Sequence, residues 1–142
     1  MSEDLVAGYP VVVHIPVQWG EMDAYGHVNN TVFFRYFESA RVKYLEDCGF
    51  LTAYDREKVG AILHSTSCRF RQPLFYPDTA RVATRVTDLT EDRFTMAYRL
   101  VSEAQQTIVA EGDCVVVSYD YRTRRIAPIP EYVREGIEKL EA

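Results

Sequence analysis

Asp23 is the residue best placed for chemistry, because a glycine-bearing loop holds it shortly before a long helix that begins near Asn30. The first backbone N–H groups of a helix lack partners, and with the helix dipole they favour a negatively charged oxygen. A carboxylate beside such a site supplies a nucleophile or base together with a stabiliser of negative charge, which is the minimum equipment for acyl transfer. Because aspartate is also common in turns, the alternative is that Asp23 only shapes the loop.

Other titratable side chains lie near this segment. His27 is suited to orient a carboxylate or a water near neutral pH, or it holds the loop as a hydrogen-bonded side chain. Glu21 is expected to point away from Asp23 into solvent, because alternate residues of an extended segment face opposite ways. Glu38 and Arg41 lie three positions apart on the helix and are predicted to pair with each other. The histidines and cysteines lack metal-ligand spacing, so no metal or other cofactor is expected.

The helix itself is unusually apolar. Asn29 or Asn30 is a suitable N-cap, and Gly49 is a suitable C-terminal stop. Its polar residues form one narrow stripe, and apolar side chains fill most of the remaining circumference. We therefore expect a broad element, most simply a sheet, to wrap it. The apolar positions are Phe33, Phe34, Phe37, Ala40, Tyr44, Leu45 and Cys48.

Alternating or β-branched segments surround this helix. Residues 11–18 form a predicted first strand, four more are predicted at 61–71, 79–87, 93–101 and 107–119, and a C-terminal helix covers 131–142. Short turns between the last four strands predict an antiparallel meander. The predicted class is therefore α+β, with one curved antiparallel sheet wrapped around one long central helix, the hotdog architecture. A ferredoxin-like arrangement would need a second long helix between strands.

Composition bounds the other possibilities. A chain of 142 residues fits one domain, predicted to span residues 1–142. The formal charge of −5 argues against nucleic acid or an anionic membrane surface as partner. No apolar run approaches the roughly 20 residues of a membrane span, and no signal-peptide core is evident. Three cysteines fit reduced thiols, so a cytoplasmic location is expected.

One stretch carries a family resemblance. The segment WGEMDAYGHVNNTVFFRYFESAR resembles the signature of the 4-hydroxybenzoyl-CoA thioesterase-like acyl-CoA thioesterases of the hotdog superfamily. The match rests on the D-x-x-G-H-V-N-N core, the aromatic-rich helix start and the F-E-S-A-R continuation. FRQPLFYPD and IAPIPEYV also resemble later family segments, so the resemblance covers most of the chain.

The resemblance implies hydrolysis of an acyl-CoA thioester to a free acid and coenzyme A. The aspartate matching Asp23 would attack the carbonyl or activate water, and the backbone N–H near Asn30 would polarise the thioester oxygen. With His27 as the side chain that orients the carboxylate or the water, Asp23 and Asn30 make up the predicted catalytic set. It also implies a homodimer or homotetramer with pockets between subunits. The predicted substrate-binding residues are Tyr25, Phe33 and Phe34 for the acyl group, and Arg93 and Arg125 for the coenzyme A phosphates.

Two other functions stay open at this stage. One is a non-catalytic hotdog protein that binds an acyl thioester, which would have no need of a carboxylate beside the oxyanion site. The other is a hotdog dehydratase, in which His27 and Glu38 would imitate a catalytic pair. Asp23 favours the hydrolase over the binding protein, and the spacing of His27 and Glu38 does not suit the dehydratase.

Overall fold

The computed structural model describes residues 5–142, which form one sheet and three α-helices. The elements are β1 (Val11–Pro16), α1 (Asn30–Cys48), α2 (Phe50–Glu57), β2 (Val59–Phe70), β3 (Thr79–Leu89), β4 (Arg93–Ser102), β5 (Thr107–Asp120), β6 (Arg125–Ile126) and α3 (Glu131–Glu141).

The strands form one antiparallel sheet in the order β1-β3-β4-β5-β2, with the short β6 paired to β5. It curls around α1, which contacts β1, β2 and β3, and this is the predicted hotdog fold. The predicted four-strand meander is wrong in one respect: β2 pairs with β5, not with β3. The connection of residues 71–78 contains two prolines and crosses to the far side of the sheet, so β2 becomes an edge strand.

The predicted ends of α1 are confirmed. The side chain of Asn29 accepts a hydrogen bond from the Thr31 backbone N–H, so Asn29 is the N-cap. Gly49 ends the helix with φ of 95°, a left-handed conformation that glycine adopts without the steric cost of a Cβ.

Phe37 lies at the centre of the core and is fully buried. Its ring stacks on Tyr98 with 4.6 Å between centroids and an interplanar angle of 13°. Gly112 of β5 lies directly beneath it, because a Cβ at this glycine would come within 2.7 Å of the Phe37 ring. The sheet therefore approaches the helix closely at Gly112, where the strand residue has no side chain.

The C-terminal helix α3 closes one side of α1. Glu141 accepts hydrogen bonds through Oε2 from the Tyr44 hydroxyl at 2.6 Å and from the Val86 backbone N–H at 2.9 Å. Gly136 packs against the backbone carbonyl of Cys48, where a Cβ would clash. One carboxylate thus joins α3, α1 and β3.

Strand β2 forms one edge of the sheet and is exposed over most of its length. Its exposed apolar side chains include Ile62, Leu63 and Phe70. A bulge interrupts its pairing with β5 between Leu63 and Ser65. Exposed apolar edges of this kind are typical sites of pairing with another strand.

Candidate active site

Asp23 lies at the tip of a tight loop that precedes α1. Met22 and Val28 form an antiparallel bridge, and the Asp23 backbone N–H donates to the His27 carbonyl at 2.7 Å. Gly26 has φ of 77°, a conformation that side-chain-bearing residues rarely adopt. The loop is thus fixed by its own backbone, which sets the position of the carboxylate.

Only one oxygen of the Asp23 carboxylate is used by the loop. Oδ1 accepts hydrogen bonds from the backbone N–H groups of Tyr25 at 2.9 Å and His27 at 3.3 Å. Within residues 5–142, no hydrogen bond reaches Oδ2. The loop-shaping role expected as the alternative is therefore present, and it leaves one carboxylate oxygen free for chemistry.

The start of α1 offers a matching donor. Its first turn satisfies two of its N–H groups internally, since Thr31 donates to the Asn29 side chain at 3.0 Å and Val32 to the Asn29 carbonyl at 2.9 Å. In the described part of the chain, the Asn30 N–H has no acceptor. It is an unpaired donor at the positive end of the helix dipole, as an oxyanion site requires.

Asp23 and Asn30 line the same cleft, which has a volume of about 500 Å³. Phe33 and Phe70 supply an apolar wall, and their rings meet edge to face with 5.1 Å between centroids. The cleft therefore combines a free carboxylate oxygen, a helix-start donor and an apolar surface. The lining residues are Asp23, His27, Val28, Asn29, Asn30, Phe33, Phe70, Arg71, Gln72, Pro73 and Leu74.

The predicted acyl-binding residues divide between locations. Phe33 lines the Asp23 cleft, as does the predicted catalytic residue His27, whose ring packs edge to face on Phe75 with 5.2 Å between centroids. Phe34 instead lines a second cavity of about 210 Å³ between α1 and β2. Tyr25 is 85% exposed and lines neither cavity within this chain.

Arg93 and Arg125 lie at the opposite end of the sheet from the Asp23 cleft. Arg93 of β4 pairs with Val117 of β5, and Val117 pairs with Ile62 of β2. Ile62 lies eight positions before Phe70, which is about 26 Å along the strand. Arg125 pairs with Asp120 at the end of β5, and Asp120 pairs with Val59 at the start of β2, about 36 Å along that strand from Phe70. Within one chain, neither guanidinium reaches the cleft.

Two expectations about charged residues are wrong. Glu21 is half-buried and accepts hydrogen bonds from the Tyr36 hydroxyl at 2.6 Å and the Gln18 backbone N–H at 2.8 Å. Burial and this carboxylate raise the pKa of Tyr36. The predicted pair of Glu38 and Arg41 does not form within residues 5–142.

The reason is that Arg41 has a buried partner, while Glu38 is already solvated. Arg41 Nη1 donates to the Tyr98 hydroxyl at 3.0 Å, and that hydroxyl also lies 3.1 Å from Cys114 Sγ. Glu38 is exposed and lines the second cavity. Because His27 lines the first cavity, the two side chains required by the dehydratase alternative are not brought together.

Several lining residues were not identified from the sequence. They come from the end of β2 and from the connection to β3. This connection is held against the site because the Val28 N–H donates a hydrogen bond to the Leu74 carbonyl at 2.8 Å. The FRQPLFYPD segment carried the only sequence signal for them, as a family-like turn. Nothing in its local pattern placed it beside Asp23, because that contact depends on the crossing connection.

Comparison with known proteins bears on this geometry. Residues 17–137 match the family model described as the thioesterase-like superfamily. The chain belongs to this superfamily. The match includes the Asp23 loop, all of α1 and the strands that line the cleft, so the whole site lies within the family region.

Individual relatives of this thioesterase-like chain extend over most of its length. The PA2801 protein of Pseudomonas aeruginosa is 32% identical, with a TM-score of 0.81 over 91% of this chain and 98% of that one. A Thermus thermophilus thioesterase complexed with coenzyme A and Zn is 29% identical, with a TM-score of 0.82 over 95% and 97%. Long-chain acyl-CoA thioesterase FadM of Escherichia coli is 21% identical over 89% and 96%. Together these relatives support thioester hydrolysis as the general chemistry.

Residues 5–142 contain no group of three or more histidine, cysteine, aspartate or glutamate side chains arranged to hold a metal ion. No helix in that range is long and apolar enough to cross a membrane.

Proposed function

We propose that this thioesterase-like protein hydrolyses an acyl-CoA thioester to the free acid and coenzyme A. The observation that carries the proposal is that Asp23 and Asn30 line one cleft, while Asp23 Oδ2 and the Asn30 N–H both lack a hydrogen-bond partner in the described chain. The assignment to the 4-hydroxybenzoyl-CoA thioesterase-like group stays a prediction.

The thioester carbonyl would lie against the start of α1, with its oxygen accepting a hydrogen bond from the Asn30 N–H. In the general-base route, Asp23 takes a proton from a water molecule while the water oxygen bonds to the carbonyl carbon. The C–S bond then breaks, and the departing thiolate takes the proton back from Asp23. In the covalent route, Asp23 attacks the carbonyl carbon itself, and the C–S bond breaks to release the coenzyme A thiolate. Water then hydrolyses the resulting anhydride to the free acid, which restores the Asp23 carboxylate, and a proton from that water goes to the thiolate.

Other predicted residues have supporting places around this reaction. Phe33 gives the acyl group an apolar wall, and His27 lies where it would orient the Asp23 carboxylate or the attacking water. Phe34 would contact an acyl group that extends along α1 into the second cavity. Tyr25 projects from the loop tip, so its contribution would fall at the mouth of the cleft.

The exposed edge of β2 supports a homodimer, with a tetramer as the larger alternative. Antiparallel pairing of two β2 strands about their centre would bring the start of the partner's strand next to the cleft. Arg93 and Arg125 of the partner subunit would then approach the coenzyme A, which they do not reach within one chain. Light scattering that returned a monomer of 16.4 kDa at micromolar concentration would contradict this assembly.

The test of the chemistry is Asp23→Asn. Asparagine keeps the Oδ1 acceptor for the Tyr25 and His27 N–H groups, so the loop should persist while the base is lost. We expect kcat to fall by roughly 10²–10⁴-fold on the best substrate of an acyl-CoA panel, with binding of coenzyme A retained. Asp55→Asn, on the exposed surface of α2, is the matched control for removal of one carboxylate.

The same experiment separates the alternatives. A folded Asp23→Asn variant with kcat within a few-fold of wild type would leave Asp23 as a loop residue only. Wild-type protein that binds acyl-CoA without turnover across the panel would identify the non-catalytic binding protein. A thermal melt of each variant shows whether a loss of activity comes from loss of folding.

A further inference from the structure

We propose that Arg69 and Arg71 of the same chain bind the phosphate groups of coenzyme A, in a cavity that continues from the Asp23 cleft. This inference rests on the proposed function, since it names the residues that receive one part of its substrate. It differs from the sequence-based expectation for Arg93 and Arg125.

The two cavities meet at Arg71. Among the residues that line the Asp23 cleft, Arg71 is the only arginine or lysine. It also lines an adjoining cavity of about 290 Å³ together with Arg69, Ser67 and Gly112. A ligand that places its thioester beside Asp23 and carries phosphates at its other end would therefore pass Arg71 as it leaves the cleft.

Arg71 is held in place before any ligand arrives. Its Nε donates to Glu111 Oε1 at 2.7 Å, and its backbone N–H donates to the Val109 carbonyl at 2.8 Å. Within residues 5–142, its terminal Nη groups have no hydrogen-bond partner. A guanidinium fixed at one edge with free donors at the other suits recognition of a phosphate.

Two arginines and two carboxylates line this cavity, and both carboxylates already accept hydrogen bonds from neighbouring side chains. Glu111 is shared by two guanidinium groups, since its Oε2 accepts from Arg99 Nη2 at 3.0 Å while Oε1 binds Arg71. Asp113 accepts a hydrogen bond from Ser67 at 2.8 Å, and the Arg69 side chain has no hydrogen-bond or ion-pair partner in the described chain. The lining charges of Arg69, Arg71, Glu111 and Asp113 therefore balance, and Arg99, which binds Glu111 without lining the cavity, adds one positive charge beside it on a chain whose formal charge is −5.

The pKa of Glu111 is consistent with this arrangement. Burial raises the pKa of this carboxyl group, but the hydrogen bonds and charges of Arg99 and Arg71 outweigh burial and lower it below its ordinary value. Glu111 therefore stays ionised at neutral pH and keeps both guanidiniums oriented. It acts as a positioning residue for Arg71.

The location also fits the path of the ligand. Gly112 faces α1, so its neighbours Glu111 and Asp113 face the opposite side of the sheet. Arg69 of β2 pairs with Glu111 of β5, so it lies on that same outer face. Arg71 follows two residues later and faces the same way. The phosphates would thus lie outside the sheet edge, in solvent contact, while the thioester lies inside the cleft.

The test compares two thioesters of the same acyl group, one on coenzyme A and one on pantetheine, which lacks the phosphates. Arg71→Gln and Arg69→Gln should each lower kcat/KM for the acyl-CoA by roughly ten-fold, mainly through KM, because each removes a charge-assisted hydrogen bond. Their kcat/KM for the acyl-pantetheine should stay within two-fold of wild type. Lys139→Gln, exposed on α3, is the control for loss of one positive charge.

Glu111→Gln adds a readout of positioning. It should raise KM for the acyl-CoA alone while leaving Arg71 present. Equal losses on both thioesters in the Arg71 variant would mean that the arginine only supports the cleft wall, and the proposal would be wrong. It would also be overturned if the selective loss appeared in Arg93→Gln or Arg125→Gln and not in the Arg69 and Arg71 variants.

Equilibrium binding keeps this test separate from catalysis. Calorimetry with free coenzyme A should give a roughly ten-fold weaker Kd for Arg71→Gln than for wild type, with no such change in Lys139→Gln. If the wild type hydrolyses no thioester, the proposed function fails, while this binding comparison still decides the assignment of the arginines. Wild-type protein that does not bind coenzyme A would overturn it.

Discussion

Replacement of Phe37 by alanine is expected to remove about 4–5 kcal/mol from the free energy of unfolding. Burial of the whole ring places the substitution among Phe→Ala changes that cost about 3–5 kcal/mol. Two features favour the upper part of that range. The ring stacks on Tyr98, and Gly112 beneath it has no side chain that could move into the space left behind.

Urea unfolding followed by circular dichroism would measure this loss. Val42→Ala, on the exposed side of the same helix, should change the free energy of unfolding by no more than about 0.5 kcal/mol. A loss below about 1 kcal/mol for Phe37→Ala would refute the packing described here, because such a value is typical of an exposed site. A loss equal to that of Val42→Ala would have the same meaning.

Three further changes test other parts of the structure. Gly112→Ala should cost about 1–3 kcal/mol in a thermal or chemical melt, because its Cβ would meet the Phe37 ring and a backbone carbonyl; an unchanged melting temperature would contradict this. Glu141→Ala should cost about 1–3 kcal/mol by leaving the Tyr44 hydroxyl without its partner, and less in a Tyr44→Phe background; equal losses in both would exclude that coupling. Burial raises the pKa of Cys48 to about 11, so a thiol-reactive dye at pH 8 should label it only after denaturation; rapid labelling at Cys48 itself in the folded protein, as distinct from the partly buried Cys68, would be inconsistent with its burial.

Local signals in the sequence were sufficient for the helix and the loop. The N-cap at Asn29, the stop at Gly49 and the apolar circumference of α1 are properties of short segments, and the structure has each of them as predicted. The same is true of the Asp23 loop, whose glycine and aspartate act within five residues. Such features are decided by neighbours in the chain, which a sequence displays directly.

Features that depend on contacts between distant segments could not be read in this way. The pairing of β2 with β5 followed from the route of residues 71–78, and four strands of similar composition fit several pairing orders. Arg71 was overlooked for the same reason, because it reaches the cleft only through that route. The choice of Tyr98 over Glu38 as the partner of Arg41 depended on burial, which the i, i+3 spacing does not reveal.

The hydrogen bond between the Val28 N–H and the Leu74 carbonyl has a consequence for folding. It ties the loop that carries Asp23 to a segment 46 residues later, and that segment is itself held to β5 through the Val109 carbonyl. Contacts of such long sequence separation form only after much of the chain has been ordered, because closing a long loop costs entropy first. The cleft should therefore be absent from early folding intermediates and from N-terminal fragments that contain Asp23 and α1 alone. Recovery of activity during refolding would report completion of the sheet.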